Sequence, residues 1–330
     1  MTTTIPILHC FDDNFVVPAG VAIHSLLTHA DPACRYRIYI LHSDITPHNQ
    51  ARLRHATARF AHAELVFVDL QGRFGELFAD TRSKGHYSKE MFYKFLAPSI
   101  LPDFDKVLIS DVDVVFLGDV ARDYLAFDVA RDGLLAGSPG LVRRGSWVDE
   151  GQQAYRRNFS PEEIARLRVG AGYFVANLAQ MRADGLQERL VDFATRHAAR
   201  LLQPEQDTFN LVCAPHIKLL PADSMVCSYS YDFYRSDDAL AQDLNYPAQE
   251  VRHALDHPIQ LHYAGVDKPW KKPTTARAEA WFEVLAQTPF LADGLALLER
   301  QTEARVRGQQ LLAFNLPLSS RRIVVSRVRR

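Results

Sequence analysis

Several features are scarce in this chain, and each scarcity removes a class of protein. The loop after the first apolar run, Phe11-Asp12-Asp13-Asn14, holds no glycine, so the GxGxxG fingerprint that cradles a dinucleotide is missing there. No GxxxxGK[ST] loop occurs anywhere, so a pyrophosphate would need a metal and not a glycine-rich cradle. Cysteine is rare: Cys10, Cys34, Cys213 and Cys227 are scattered with no CxxC pair, which suits reduced core thiols and not disulfides or a zinc site. Net charge is almost nil, −1 from 38 basic and 39 acidic residues, whereas general nucleic-acid binders carry a basic excess. No nucleic-acid partner is expected. No window approaches the roughly 18 apolar residues of a membrane span, and the start, Met-Thr-Thr-Thr-Ile-Pro-Ile, lacks the regions of a signal peptide. The expectation is a cytoplasmic, soluble chain. Acid is also absent after Glu303, while Arg305, Arg307, Arg321, Arg322, Arg327, Arg329 and Arg330 follow among apolar residues. Such a tail suits an anionic inner-membrane face, making the protein peripheral there, or is a solvated terminus.

What remains is ordinary for a globular protein: 47% apolar and 23% charged residues over 330 positions. The run Ile5 to Cys10 predicts a strand, Val16 to His29 a helix, Arg37 to Leu41 a second strand. Thr46-Pro47 starts another helix, and Glu64 to Asp69 is a third strand. Alternating strands and helices predict a mostly parallel sheet flanked by helices, with ligands at the carboxyl ends of the strands. That rim would hold Asp12, Asp13 and Asn14. Tyr87 to Leu96 reads as an amphipathic helix, from which Lys94 either reaches a phosphate at the rim or lies in solvent.

The organising stretch is Lys106 to Leu117, where the apolar strand Val107-Leu108-Ile109 meets Asp111 and Asp113. Residues two apart in an extended segment share a face, so the carboxylates aim at one point while Val112 turns to the core. Like charges held together are costly unless neutralised, and Mg²⁺ or Mn²⁺ would do so; a solvated turn is the alternative. Further on, Gly133 to Gly137 predicts a strand, and the polar segment 138–168 loops and helices at the mouth of a site. Gly170-Ala171-Gly172 precedes a β-like run, allowing close approach to a ligand or a simple turn. Gln203 to Asn210 starts a helix whose dipole alone would explain Glu205 and Asp207. Ile259 to Tyr263 is a late strand carrying His262, either a core residue or a metal ligand, followed by Gly265, Lys268 and Pro269-Trp270. Residues 1–275 read as one domain and 276–330 as a helical extension ending in the basic tail.

These segments resemble, in order, the family 8 nucleotide-sugar glycosyltransferases, in particular the bacterial enzymes that add galactose or glucose to lipopolysaccharide. Asp12-Asp13-Asn14 is similar to the family's nucleotide-binding segment, Asp111-Val112-Asp113 to its Asp-x-Asp, and Glu205 to Asn210 to its Asp-Gln-Asp-x-x-Asn. His262 to Trp270 matches the His-Tyr-x-Gly-x-x-Lys-Pro-Trp motif at every fixed position. The resemblance implies a GT-A fold and a retaining, Mn²⁺- or Mg²⁺-dependent transfer from a UDP-sugar to a glycan or lipid-linked glycan. Asp111, Asp113 and His262 would hold the metal. The donor would be bound by Asp12, Asn14, Lys94, Asp111, Val112, Asp113, Gly265 and Lys268. Lys268 would also offset leaving-group charge, Gln206 would stabilise the sugar-ring cation, and Glu205 would bind sugar hydroxyls. Two positions depart from the family pattern, Gly170 where asparagine is common and Glu205 where aspartate is usual; Lys94 would take a place where the family often has arginine. Two other readings stay open, a sugar-activating nucleotidyltransferase and a non-catalytic nucleotide-sugar or glycan-binding protein on a degenerate transferase fold.

Overall fold

The computed structural model describes residues 2–72, 89–142 and 151–301. Among these, ten strands form two sheets: β1 (Thr4–Cys10), β2 (Arg35–His42), β3 (Ala63–Asp69), β4 (Lys106–Ser110), β5 (Val114–Phe116), β6 (Leu135–Gly137), β7 (Tyr173–Asn177), β8 (Ile217–Leu219), β9 (Val226–Cys227) and β10 (Gln260–His262). The large sheet has the order β3-β2-β1-β4-β7-β6-β8, and the small one β5-β10-β9. From β3 to β4 neighbours run parallel; β7 is antiparallel to both β4 and β6. β1 is buried over residues 5–9, as a parallel strand covered on both faces must be, which is why it reads as a continuous apolar run.

Helices α1 (Val16–Thr28) and α2 (Pro47–Thr57) return the chain between β1, β2 and β3. Pro47 occupies the first turn of α2 and the Thr46 hydroxyl accepts from Asn49 N, the capping chemistry expected there. Beyond residue 275 the chain stays on this core. In the helix Ala278–Leu285, Trp281 is fully buried beside Trp270, and Phe290 lies against α1. A Cβ on Gly20 of α1 would stand 2.3 Å from the Phe290 ring, so glycine is what lets this contact form. Residues 291–301 are helical. The basic tail from Arg305 onward, like Tyr87 and Ser88, lies outside the described residues. No helix among the described residues is long and apolar enough to cross a membrane.

One reading of the organising stretch needs correction. Lys106 to Leu117 is not one extended ribbon: β4 stops at Ser110, and Val114–Phe116 pairs into the small sheet. The two aspartates sit on the link between sheets. Backbone bonds from Asp111 N to Gly172 O and from Tyr263 N to Asp113 O pin that link at both ends. Val112 nevertheless turns to the core, 4% exposed, as alternation along the chain suggested.

Candidate active site

β1 pairs with β2 on one side and β4 on the other, so chain order reverses between β1 and β4 and leaves a crevice at their carboxyl ends. β1 leads to Asp12 and β4 to Asp111. Beneath them, burial lowers the His9 pKa to about 4; the ring is neutral at pH 7 and its Nδ1 donates to Ser110 O at 2.8 Å. Behind the crevice, the β5–β10 register sets His262 opposite Val114, one residue from Asp113. It brings His262 to Asp113, 149 positions away in sequence.

The ligand atoms of Asp111, Asp113 and His262 lie within 4.8 Å of one another. His262 Nε2 is 3.1 Å from Asp113 Oδ1 and 3.7 Å from Asp111 Oδ2. The remaining oxygens face lysines: Asp111 Oδ1 takes Lys94 Nζ at 2.6 Å, and Asp113 Oδ2 takes Lys268 Nζ. Each aspartate thus gives one oxygen to a lysine and turns the other toward the imidazole. Two hard oxygens and one imidazole nitrogen converging on a point fit a divalent ion such as Mn²⁺ or Mg²⁺. Burial opposes charge on Asp113, yet Lys268 and His262 together hold its carboxyl well below its ordinary value. Burial likewise opposes protonation of His262, but the Asp113 carboxylate outweighs it and raises the ring to about 10.

Gly172 makes this arrangement possible. A Cβ there would lie 2.5 Å from His262 Cε1 and 3.2 Å from Asp111 Oδ2. Of the two sequence readings for this glycine, the turn is present at residues 171–172, and the close neighbours of Gly172 are the site's own side chains.

Lys94 departs from the solvent reading. It leaves a 3₁₀ helix, Lys89–Leu96, and is 2% exposed. Its Nζ bonds Asp111, Ala171 O at 2.9 Å and the Glu205 carboxylate. Burial disfavours its charge, but Asp111 and Glu205 more than compensate and raise its pKa. Burial also raises the Glu205 carboxyl, against Lys94. Helix-dipole benefit alone therefore does not account for Glu205. Asp207 is the structural acid of that turn: its Oδ2 accepts from Leu202 N and Gln203 N.

In the helix Pro204–Cys213, Gln206 and Asn210 stand one turn apart and both face the irregular segment 168–171 that precedes β7. Asn210 Oδ1 accepts from Arg168 N and Val169 N, while Gln206 Oε1 accepts from Ala171 N at 3.2 Å. Gly170 lies beside them, where a Cβ would meet the tip of Met225 at 3.2 Å and Gln206 Oε1 at 3.6 Å. At the other end of the crevice, Asp12 accepts from Asn14 N at 3.1 Å, and burial raises its pKa. Asp13 turns away to accept from Thr46 N and Asn49 Nδ2, tying the loop to α2. Lys268 also donates to Tyr263 O at 2.6 Å, and Gly265 turns its loop with φ +83°. Sequence reasoning missed Met225, Ala171 and Gln260, whose Nε2 donates to Ser110 Oγ at 2.9 Å; none of them carries a chemical signal of its own.

The mixed α/β sheet with an acidic crevice at its switch point is that of the GT-A fold, shared with the solved glycosyltransferases described below. Residues 6–274 match glycosyl transferase family 8, and the chain belongs to that family. It is a glycosyltransferase. General stress protein A of Bacillus subtilis (strain 168) is 22% identical over 272 residues, 81% of this chain and 88% of that protein. Among solved structures, the galactosyltransferase LgtC, in complex with donor and acceptor sugar analogues, aligns with a TM-score of 0.66 at 19% identity, over 86% of this chain and 96% of LgtC. The bifunctional glycosyltransferase WbbM aligns with a TM-score of 0.64 at 21% identity, over 92% of this chain and about half, 52%, of WbbM. At these identities the structural likenesses carry the fold.

Proposed function

We propose that this enzyme moves a hexose, galactose or glucose, from a UDP-sugar to a lipopolysaccharide or other surface glycan, with retention at the anomeric carbon and dependence on Mn²⁺ or Mg²⁺. The observation that carries this reading is the convergence of Asp111, Asp113 and His262 at the switch point. The bound ion would act as a Lewis acid on the diphosphate. Asp12 and Asn14 hold the uridine and ribose, and Gly265 and Lys268 close over the diphosphate.

The bond from anomeric carbon to UDP breaks with its electron pair passing to the β-phosphate oxygen. The acceptor hydroxyl attacks from the leaving group's own face, and its proton goes to that oxygen. Lys268, beside Asp113, offsets the charge that builds there. Gln206 lies toward the far side of the sugar, where its amide oxygen stabilises the ring cation, and Glu205 binds sugar hydroxyls. A pure binding protein would have no need of this leaving-group apparatus.

The test is UDP release from UDP-galactose and UDP-glucose, with Mn²⁺ and then with EDTA. Slow metal-dependent release from one donor is expected even without acceptor. Release unaffected by EDTA, or no binding of UDP at all, would refute the proposal.

A further inference from the structure

A second group of metal-type side chains involves none of the crevice residues. The helix Ala248–Asp256 turns Val251 and Ala254 into the core and leaves His253 and His257, one turn apart, exposed. Their rings stand 5.2 Å apart, centre to centre. Beside them is Asp223, in the 3₁₀ turn Ala222–Ser224 that precedes β9, with His253 Nε2 at 3.8 Å from its Oδ2. The two histidines share a backbone bond, His257 N to His253 O at 2.8 Å, but among the described residues neither ring has a hydrogen-bond partner. Asp223 is 8% exposed and accepts from Arg122 through both oxygens, at 2.6 and 2.9 Å. Each carboxylate oxygen has a second lone pair, so Oδ2 can serve Arg122 and still face His253.

We propose that His253, His257 and Asp223 form a binding site for a borderline transition-metal ion of the Zn²⁺ class, separate from the Asp111, Asp113 and His262 cluster. Zn–N bonds of about 2.0–2.1 Å set two imidazoles on one tetrahedral ion about 5 Å apart, ring centre to ring centre. That is the separation of the His253 and His257 rings. A nitrogen and an oxygen on one such ion stand about 3.4 Å apart, and the exposed His253 side chain closes the remaining gap to Asp223 by a small rotation. Two imidazoles and one carboxylate, with water in the fourth position, suit Zn²⁺, whereas the crevice offers two carboxylates and one imidazole to a harder ion.

The ion would act as a staple. It would fasten the helix Ala248–Asp256 to the turn beside it, which already holds Arg122 on the Asp223 carboxylate. The same turn holds Ile259 N on the Asp223 carbonyl at 2.7 Å, immediately before β10. The site therefore supports the strand that carries His262 and takes no part in the transfer. Histidines placed there only as solvated polar residues would not share an ion.

The experiment is calorimetric titration of Zn²⁺ into the full chain, using wild type, His253→Gln, His257→Gln and Asp223→Asn, with His262→Gln as the crevice control. The thermal unfolding midpoint of each is measured with and without Zn²⁺. Wild type is expected to bind Zn²⁺ at this site and to gain in midpoint. Each of the first three substitutions should weaken that binding at least about tenfold and remove the gain, while His262→Gln keeps both. His253 and His257 are exposed, so glutamine there leaves the fold intact, and those two variants decide the matter should Asp223→Asn fail to fold. Wild-type Zn²⁺ affinity in His253→Gln or His257→Gln would overturn the proposal, as would Zn²⁺ binding that only His262→Gln removes. Mn²⁺-dependent UDP release in His253→Gln is expected at the wild-type rate, and its loss would overturn the separation of this site from the crevice.

Discussion

Replacing Gly172 by alanine adds one methyl group at the most crowded point of the site. Its Cβ would stand 2.5 Å from His262 Cε1 and 2.7 Å from Nδ1, where non-bonded carbons normally rest about 3.5–4.0 Å apart. Relief requires a shift of about 1 Å. The Gly172 backbone is poorly placed to provide it, since Gly172 O accepts from Asp111 N and Gln260 Nε2, and Tyr173 next to it pairs with Ser110. The imidazole must shift instead, which disturbs its approach to Asp111 and Asp113. Overpacking of this kind costs about 1–3 kcal/mol, and displacement of a metal-holding side chain costs about 10- to 100-fold in metal affinity. Gly170→Ala is the control: the new methyl meets the flexible end of Met225 at 3.2 Å, which can yield. Calorimetric titration of Mn²⁺ in the presence of UDP should therefore show a large loss in Gly172→Ala and little change in Gly170→Ala. Equal Mn²⁺ affinity in wild type and Gly172→Ala would refute the reasoning about this cluster.

Two further perturbations address the scaffold. His9 has its pKa lowered from 6.5 to about 4, so protonation of the unfolded chain begins first, and the stability present above pH 6.5 is lost as pH falls toward 4. From pH 7 to pH 5 this group contributes a loss of about 2 kcal/mol; His9→Asn, which keeps a donor for Ser110 O, should lose that much less in urea unfolding, and an identical pH slope would count against it. Asp13→Ala removes the ties to Thr46 N and Asn49 Nδ2 and should cost about 1 kcal/mol of stability. Its UDP affinity should change less than about threefold, and a larger loss would place Asp13 in the nucleotide site after all.

The large sheet was legible because its central strands are buried on both faces and appear as short apolar runs ending in polar rims. Of the small sheet only β10 was legible, as the late strand Ile259 to Tyr263. Strands of two or three residues carry no periodicity, and the meeting of His262 with Asp113 depends on a register between segments far apart in sequence. The motif around His262 marked the residue as interesting, but only that register says which carboxylate it faces. Lys94 shows the limit most clearly. The helix pattern left open whether it pointed to solvent, since the acids it meets come from two distant segments. Glu205 stood out as a departure from the family pattern and Lys94 as a lysine where arginine is frequent, and they are the two ends of one contact. Asp12, Asp13 and Asn14 formed one motif in the sequence, yet Asp13 serves α2 while Asp12 and Asn14 stay at the rim.

The central claim is that Asp111, Asp113 and His262 form one metal centre, and the most direct measurement is pulsed electron paramagnetic resonance of Mn²⁺ bound with UDP. A nitrogen coupling to the ion is expected in wild type and should vanish in His262→Gln. Mn²⁺ held with UDP but without any nitrogen coupling, or a coupling that survives the substitution, would contradict the account.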